Sequence, residues 1–130
     1  MSCLWEVQKA IYTALSGDST FMALVFNRLY DEPDTNEEYP YVIIGNCVEN
    51  KRNILNGIGY EVYMDIRIYT KPFGLGYYEA KTILNRMNTI LNFKKFSMTG
   101  FTMVNCQYEN SYTDKENELR IISARYKILV

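Results

Sequence analysis

Hydrophobic and polar positions alternate from Tyr60 to Tyr69. Tyr60, Val62, Met64, Ile66 and Ile68 fall on one side, and Glu61, Tyr63, Asp65, Arg67 and Tyr69 on the other. Side chains on a strand point to opposite faces with period two, so this segment is predicted as a half-buried strand with one apolar face. After a Pro/Gly loop the period changes. Ala80, Ile83, Leu84, Met87, Ile90 and Leu91 share one stripe of a helix running to about Leu91. A strand with one apolar face, followed by such a helix, is half of a two-layer sandwich.

The rest of the chain supplies the other half. Leu4, Val7, Ile11, Ala14 and Leu15 predict an amphipathic helix over Leu4–Ser16, with Gly17 at or just past its end. Asp18 and Ser19 each suit a helix cap, and Phe21–Phe26 reads as a short, mostly buried second helix. Asn27–Tyr39 is expected as loop or short edge strand. Tyr41–Val48 reads as a strand introduced by Pro40, which biases Tyr39 to an extended conformation. Glu49–Gly59 reads as a connection too long for a tight hairpin turn. Asn92–Gly100 is a basic connection. Phe101–Tyr112 is a strand with Thr102, Val104, Cys106 and Tyr108 on one face; Ser111–Asn117 is a polar turn. Glu118–Val130 is the last strand, with Ile122, Ala124, Tyr126 and Ile128 on one side. The fold class is therefore α+β: a mainly antiparallel sheet of about four strands packed on an N-terminal helical hairpin and one long helix. No repeat or linker divides the chain, so one domain over residues 1–130 is expected.

Composition sharpens this picture in three places. Fourteen Lys and Arg against fifteen Asp and Glu give a net charge of −1, which argues against a dedicated nucleic-acid binder. The three cysteines, Cys3, Cys47 and Cys106, form no CxxC pair, and a reduced cytosolic setting is expected. There is no signal peptide pattern and no apolar run long enough to span a bilayer, so no membrane partner is expected. Twelve tyrosines suit either interfaces or half-buried sheet faces.

Catalytic chemistry is sparse. The chain has no histidine, hence neither the commonest general base nor the commonest metal ligand. Cys47 and Cys106 lie within apolar strand faces and read as buried, inert thiols. The pairs Gly57/Gly59 and Gly74/Gly76 lack the third small residue of a dinucleotide loop, where Val62 and Glu79 stand. Asp34–Tyr39 echoes a calcium loop but has Tyr39 where Gly is needed. Asp65 and Arg67 read as members of cross-strand ion pairs. No catalytic residue, cofactor or metal site is expected.

Several features, in order, resemble the tail-completion (head–tail joining) proteins of long-tailed bacteriophages and prophages. These are the helix Val7–Leu15, the acid-started helix Asp18–Val25, Asn27-Arg-Leu-Tyr30, Tyr39-Pro-Tyr-Val-Ile-Ile-Gly45, the strand Ile66–Thr70, the helix Glu79–Leu91 and a closing strand. Tyr69 stands where that family often has Trp. The resemblance implies a non-enzymatic virion protein made in the bacterial cytoplasm. It would form a ring, expected as a hexamer, at the head-proximal end of the tail tube. Its partners would be copies of itself, the tail tube protein and a head-side stopper or connector protein, with DNA passing through a central channel. A tail-terminator role is the close alternative.

Three surface expectations follow. Glu118–Val130 or Tyr41–Val48 could extend a neighbour's sheet, with Tyr126 and Ile128 at the interface. Ile54, Leu55 and Ile58, in an apolar-bearing loop, are expected to dock and to order on docking. The acids Asp31, Glu32, Asp34, Glu37 and Glu38 are either a solvated loop or a channel lining that repels DNA. Two other classes stand against the assembly reading: a monomeric adaptor outside any phage, and a single-stranded nucleic-acid binder using Phe93, Lys94, Lys95 and Phe96.

Overall fold

The computed structural model describes residues 2–31, 38–55, 57–71 and 76–130, without the side chains of Ile54 and Ile58. Its elements are α1 (Leu4–Ser16), α2 (Ser19–Leu24), β1 (Leu29–Tyr30), β2 (Tyr41–Ile54), β3 (Gly57–Thr70), α3 (Tyr78–Leu91), β4 (Asn105–Glu116) and β5 (Leu119–Leu129). The strands form one five-stranded sheet in the order β1-β2-β3-β5-β4. Every pairing is antiparallel except that of β1 with β2. The α+β expectation holds, and β1 supplies the short edge strand allowed between Asn27 and Tyr39.

The apolar stripes meet as the periodicities predict. Val62, Met64, Ile66 and Ile68 of β3 and Ile122, Ala124, Tyr126 and Ile128 of β5 are all buried on one sheet face. Val7, Ile11 and Leu15 of α1, Phe21 of α2, and Ala80, Ile83, Met87 and Leu91 of α3 join them in one core. Asp18 caps α2, accepting from the Phe21 N–H at 2.8 Å. The same carboxylate takes a paired hydrogen bond from Arg86, at 3.1 and 2.6 Å, which ties α2 to α3.

Three sequence expectations change. First, Glu49–Gly59 is not a loop. The β2–β3 ladder continues without a break from Asn46↔Asp65 to Ile54↔Gly57. Gly57, at φ 145°, holds a backbone conformation that suits glycine where the hairpin closes. Beyond the mutual Tyr60–Val130 backbone bonds, β5 has ended and three β2–β3 pairs project alone. An arm with no core beneath it has no reason to alternate, so its polar run imitates a loop.

Second, β4 begins and ends four residues later than expected, and Asn117, at φ 55°, forms the turn. Ser111 to Glu116 is polar because this edge strand is solvated. Cys106 and Tyr108 face the core side, whereas Thr102 and Val104 are exposed and precede the strand. Third, β5 lies between β3 and β4, with both backbone edges paired, so Glu118–Val130 cannot add to a neighbour's sheet. Tyr126 and Ile128 are wholly buried in the chain's own core and present no surface.

Candidate interaction surfaces

The ladder fixes which side chains meet. A bulge at Gly45 shifts the β2 register, so Val42 and Ile44 face the core before it, and Cys47 and Glu49 after it. A Cβ on Gly45 would lie 3.5 Å from the Asp31 carbonyl oxygen, so the bulge sits against the end of β1. Glu49 thereby reaches the start of α1. Its Oε2 accepts from the Ser2 hydroxyl at 2.9 Å, the Cys3 N–H at 2.9 Å and the Cys3 thiol at 3.3 Å. The α1 cap residue, Cys3, makes no side-chain cap bond itself, so Glu49 supplies the negative charge that a helix N-terminus favours. Burial pushes the Glu49 carboxyl up, but the bonds from Cys3 and Ser2 outweigh it and hold it below its ordinary value.

Cys106 is buried, as expected, whereas Cys47 is half-buried; Cys3, at the start of α1, is buried too. Burial first, then the Glu49 hydrogen bond, pushes Cys3 up to about 12. Burial, then the nearby Asp65 and Asp31 charges, pushes Cys47 to about 11. Burial pushes Cys106 to about 12. Among the described residues no cluster of His, Cys, Asp or Glu could hold a metal ion, and no helix is long and apolar enough to cross a membrane.

Four surfaces remain. The sheet face opposite the core carries a tyrosine stack: Tyr39 on Tyr41 at 5.2 Å between ring centroids, and Tyr41 on Tyr69 at 4.9 Å. Tyr30 leans on Tyr41 at 6.2 Å. All four rings are half-buried, so this part of the tyrosine excess covers a sheet. Alongside them, Asp65 pairs with Arg125 of β5 at 3.0 and 3.3 Å, which bears out the ion-pair reading for Asp65. Arg67 instead bonds Tyr69, which raises its pKa, and its Nε finds no partner among the described residues.

The second surface is the arm. Leu55 at its tip is fully exposed, while the side chains of Ile54 and Ile58 lie outside the described residues. Lys51 and Arg52 sit just behind the tip and make no ion pair among the described residues. The third surface is a groove on the outer side of α1, lined by Trp5, Gln8, Lys9, Tyr12, Thr13 and Asp31. Trp5 is 62% exposed and Tyr12 44%. Sequence reasoning passed over both; their spacing of seven, off the apolar stripe of α1, was the available signal. The fourth surface is the pair of open strand edges, on β2 beyond Ile44 and on β4 beyond Tyr108. Both edges carry bulges, at Gly45 and Glu109, and charged side chains, features that discourage backbone pairing.

Of the acids expected to line a channel, Asp31 and Glu38 are exposed, and Glu38 pairs with Arg28 at 3.1 Å. Glu32, Asp34 and Glu37 lie outside the described residues. In the basic connection Phe93 is exposed but Phe96 packs against the core, so the two rings do not make a base-stacking platform.

The tail completion protein gp17 family model matches residues 9–130. The chain belongs to that family. This family is one of structural proteins of phage tails. A curated relative, tail completion protein gp17 of Bacillus phage SPP1, is 29% identical over 98 residues, which is 75% of this chain and 70% of the relative. A chain from the solved structure titled "Virion of native gene transfer agent (GTA) particle" superposes with a TM-score of 0.91 at 20% identity. The superposition covers 99% of this chain and 97% of that one, and at such identity it speaks for the fold alone.

Proposed function

We propose that this member of the tail completion family forms a closed ring, a hexamer, at the head-proximal end of a tail tube. The ring joins the tube to a head-side stopper or connector protein and leaves a channel for DNA. The observation that carries the reading is the family match over nearly the whole chain. Its physical side is that a ring needs two different complementary patches per subunit, because head-to-tail contacts close only when the rotation closes. The arm and the α1 groove are such a pair of unlike patches. On this reading Ile54, Leu55 and Ile58 dock. Glu32, Asp34, Glu37 and Glu38, which follow the groove residue Asp31, line the passage and keep DNA from sticking to it.

Electron microscopy of particles made with and without this protein tests the proposal. Particles lacking it are expected as separate filled heads and free tails. A ring is expected at the tube end only when the protein is present. Intact, joined particles made without it would refute the role.

A further inference from the structure

The arm is an apolar tip on a cationic stem. Leu55 is fully exposed, and Lys51 and Arg52 stand three or four residues behind it with no acid paired to them among the described residues. The α1 groove has the opposite character. Trp5 and Tyr12 give it an exposed aromatic floor. Its Lys9 charge is already taken by Glu6 at 3.0 Å, so Asp31 at the lip is the one lining charge without an ion pair among the described residues. Asp31 also opens the run Asp31–Glu38, which holds five acids and no base.

The arm cannot fill the groove of its own chain. Asp31 lies against Gly45, and Leu55 is ten residues further along β2, which at ~3.3 Å per residue is roughly 30 Å away. The hairpin between them is a continuous ladder that does not fold back.

We infer that the β2–β3 arm of one subunit seats Leu55 on Trp5 and Tyr12 of the next subunit, with the exposed Lys51 against its Asp31. This rests on the ring reading above and names the contact that builds the ring. Trp and Tyr are the residue types that most often anchor such contacts. Each subunit both gives an arm and receives one, which is the head-to-tail geometry a ring requires.

The test uses whole particles. Leu55 is replaced by a photoreactive benzoylphenylalanine, and particles are assembled from equal amounts of light and nitrogen-15-labelled protein. After irradiation, mass spectrometry is expected to find Leu55-site peptides joined to the Trp5–Thr13 segment, with light–heavy pairs proving that two copies are linked. In parallel, Asp31→Lys is expected to lower the yield of joined particles, and Lys51→Glu is expected to restore it in the Asp31→Lys background. Microscopy of the same samples scores the ring independently. Rings present with cross-links only to a tube or head protein, or to no segment of α1, would overturn the arm contact and leave the ring reading standing. Absence of any ring in unmutated particles would overturn both. Charge reversals that add their defects, rather than cancel them, would also overturn the contact.

Discussion

Replacing Glu49 is the sharpest probe of how the arm is anchored. Its carboxylate binds the first residues of α1 from the strand that carries the arm, so one side chain links helix and hairpin. In Glu49→Ala the Cys3 N–H loses its acceptor, a loss comparable to removing a helix cap, about 1 kcal/mol. The α1 N-terminus also loses a facing negative charge, worth about 0.5 kcal/mol more. The sum, about 1.5 kcal/mol, corresponds to a melting temperature lower by roughly 6 °C in a domain of this size. Glu49→Gln keeps an acceptor and loses only the charge, so its melting temperature should fall by about a third as much. The pH dependence has a definite sign. Because the folded carboxyl is held below its ordinary value, its contribution is fully present above the unfolded glutamate pKa, ~4.3, and is lost as pH falls through the folded one. The gap between wild type and Glu49→Gln should therefore be full at neutral pH and narrow in acid. Thermal melts by circular dichroism across this range, with hydrogen exchange of α1 and β2, measure it. A Glu49→Ala protein that melts with the wild type, or a gap that is the same in neutral and acidic buffer, would refute the reasoning.

Two further outcomes follow from the packing. Asp18→Ala removes the α2 cap and the Arg86 partner together, and should destabilise the fold by about 1 kcal/mol from the cap alone, read by urea titration. Asp18→Asn keeps the cap and should cost less. The Arg86 bond first, then the Phe21 N–H, hold Asp18 below the usual carboxylate range, so the wild type's advantage over Asp18→Asn disappears as pH falls through that lowered value. Tyr126→Phe leaves the Asn88 side-chain oxygen without the phenol that donates to it, and should cost about 1–2 kcal/mol by the same assay. Burial raises the Tyr126 phenol, so in an alkaline absorbance titration of the wild type this tyrosine should ionise only as the fold opens.

The elements that face the core were legible because burial imposes a period. The Leu4–Ser16 helix was read to its ends, since Val7, Ile11 and Leu15 mark its inner face and Gly17 stops it. The same holds for the inward side chains of β3 and β5. Legibility failed where the core runs out. Asn50–Asn53 looked like loop because all four side chains are polar and all but the half-buried Arg52 are exposed. The bulge at Gly45 was invisible as well. It turns Glu49 toward α1, a contact across 46 residues of sequence that no local pattern encodes. Trp5 and Tyr12 were overlooked for a related reason. Helical stripe analysis looks for apolar side chains that face inward, and these two sit on the solvent side. The placement of β5 inside the sheet followed from topology rather than from its own residues, which read as a good strand at the edge or the centre.

The unsupported rungs of the hairpin have an evolutionary consequence. Nothing in the subunit's interior rests on Asn53 or Leu55, which are exposed, so replacing them leaves the core untouched. If the arm docks as inferred above, the constraint on these positions comes from the neighbouring subunit. Lineages can therefore retune compatibility between particle parts by drift at this extremity, with the remainder of the domain held constant.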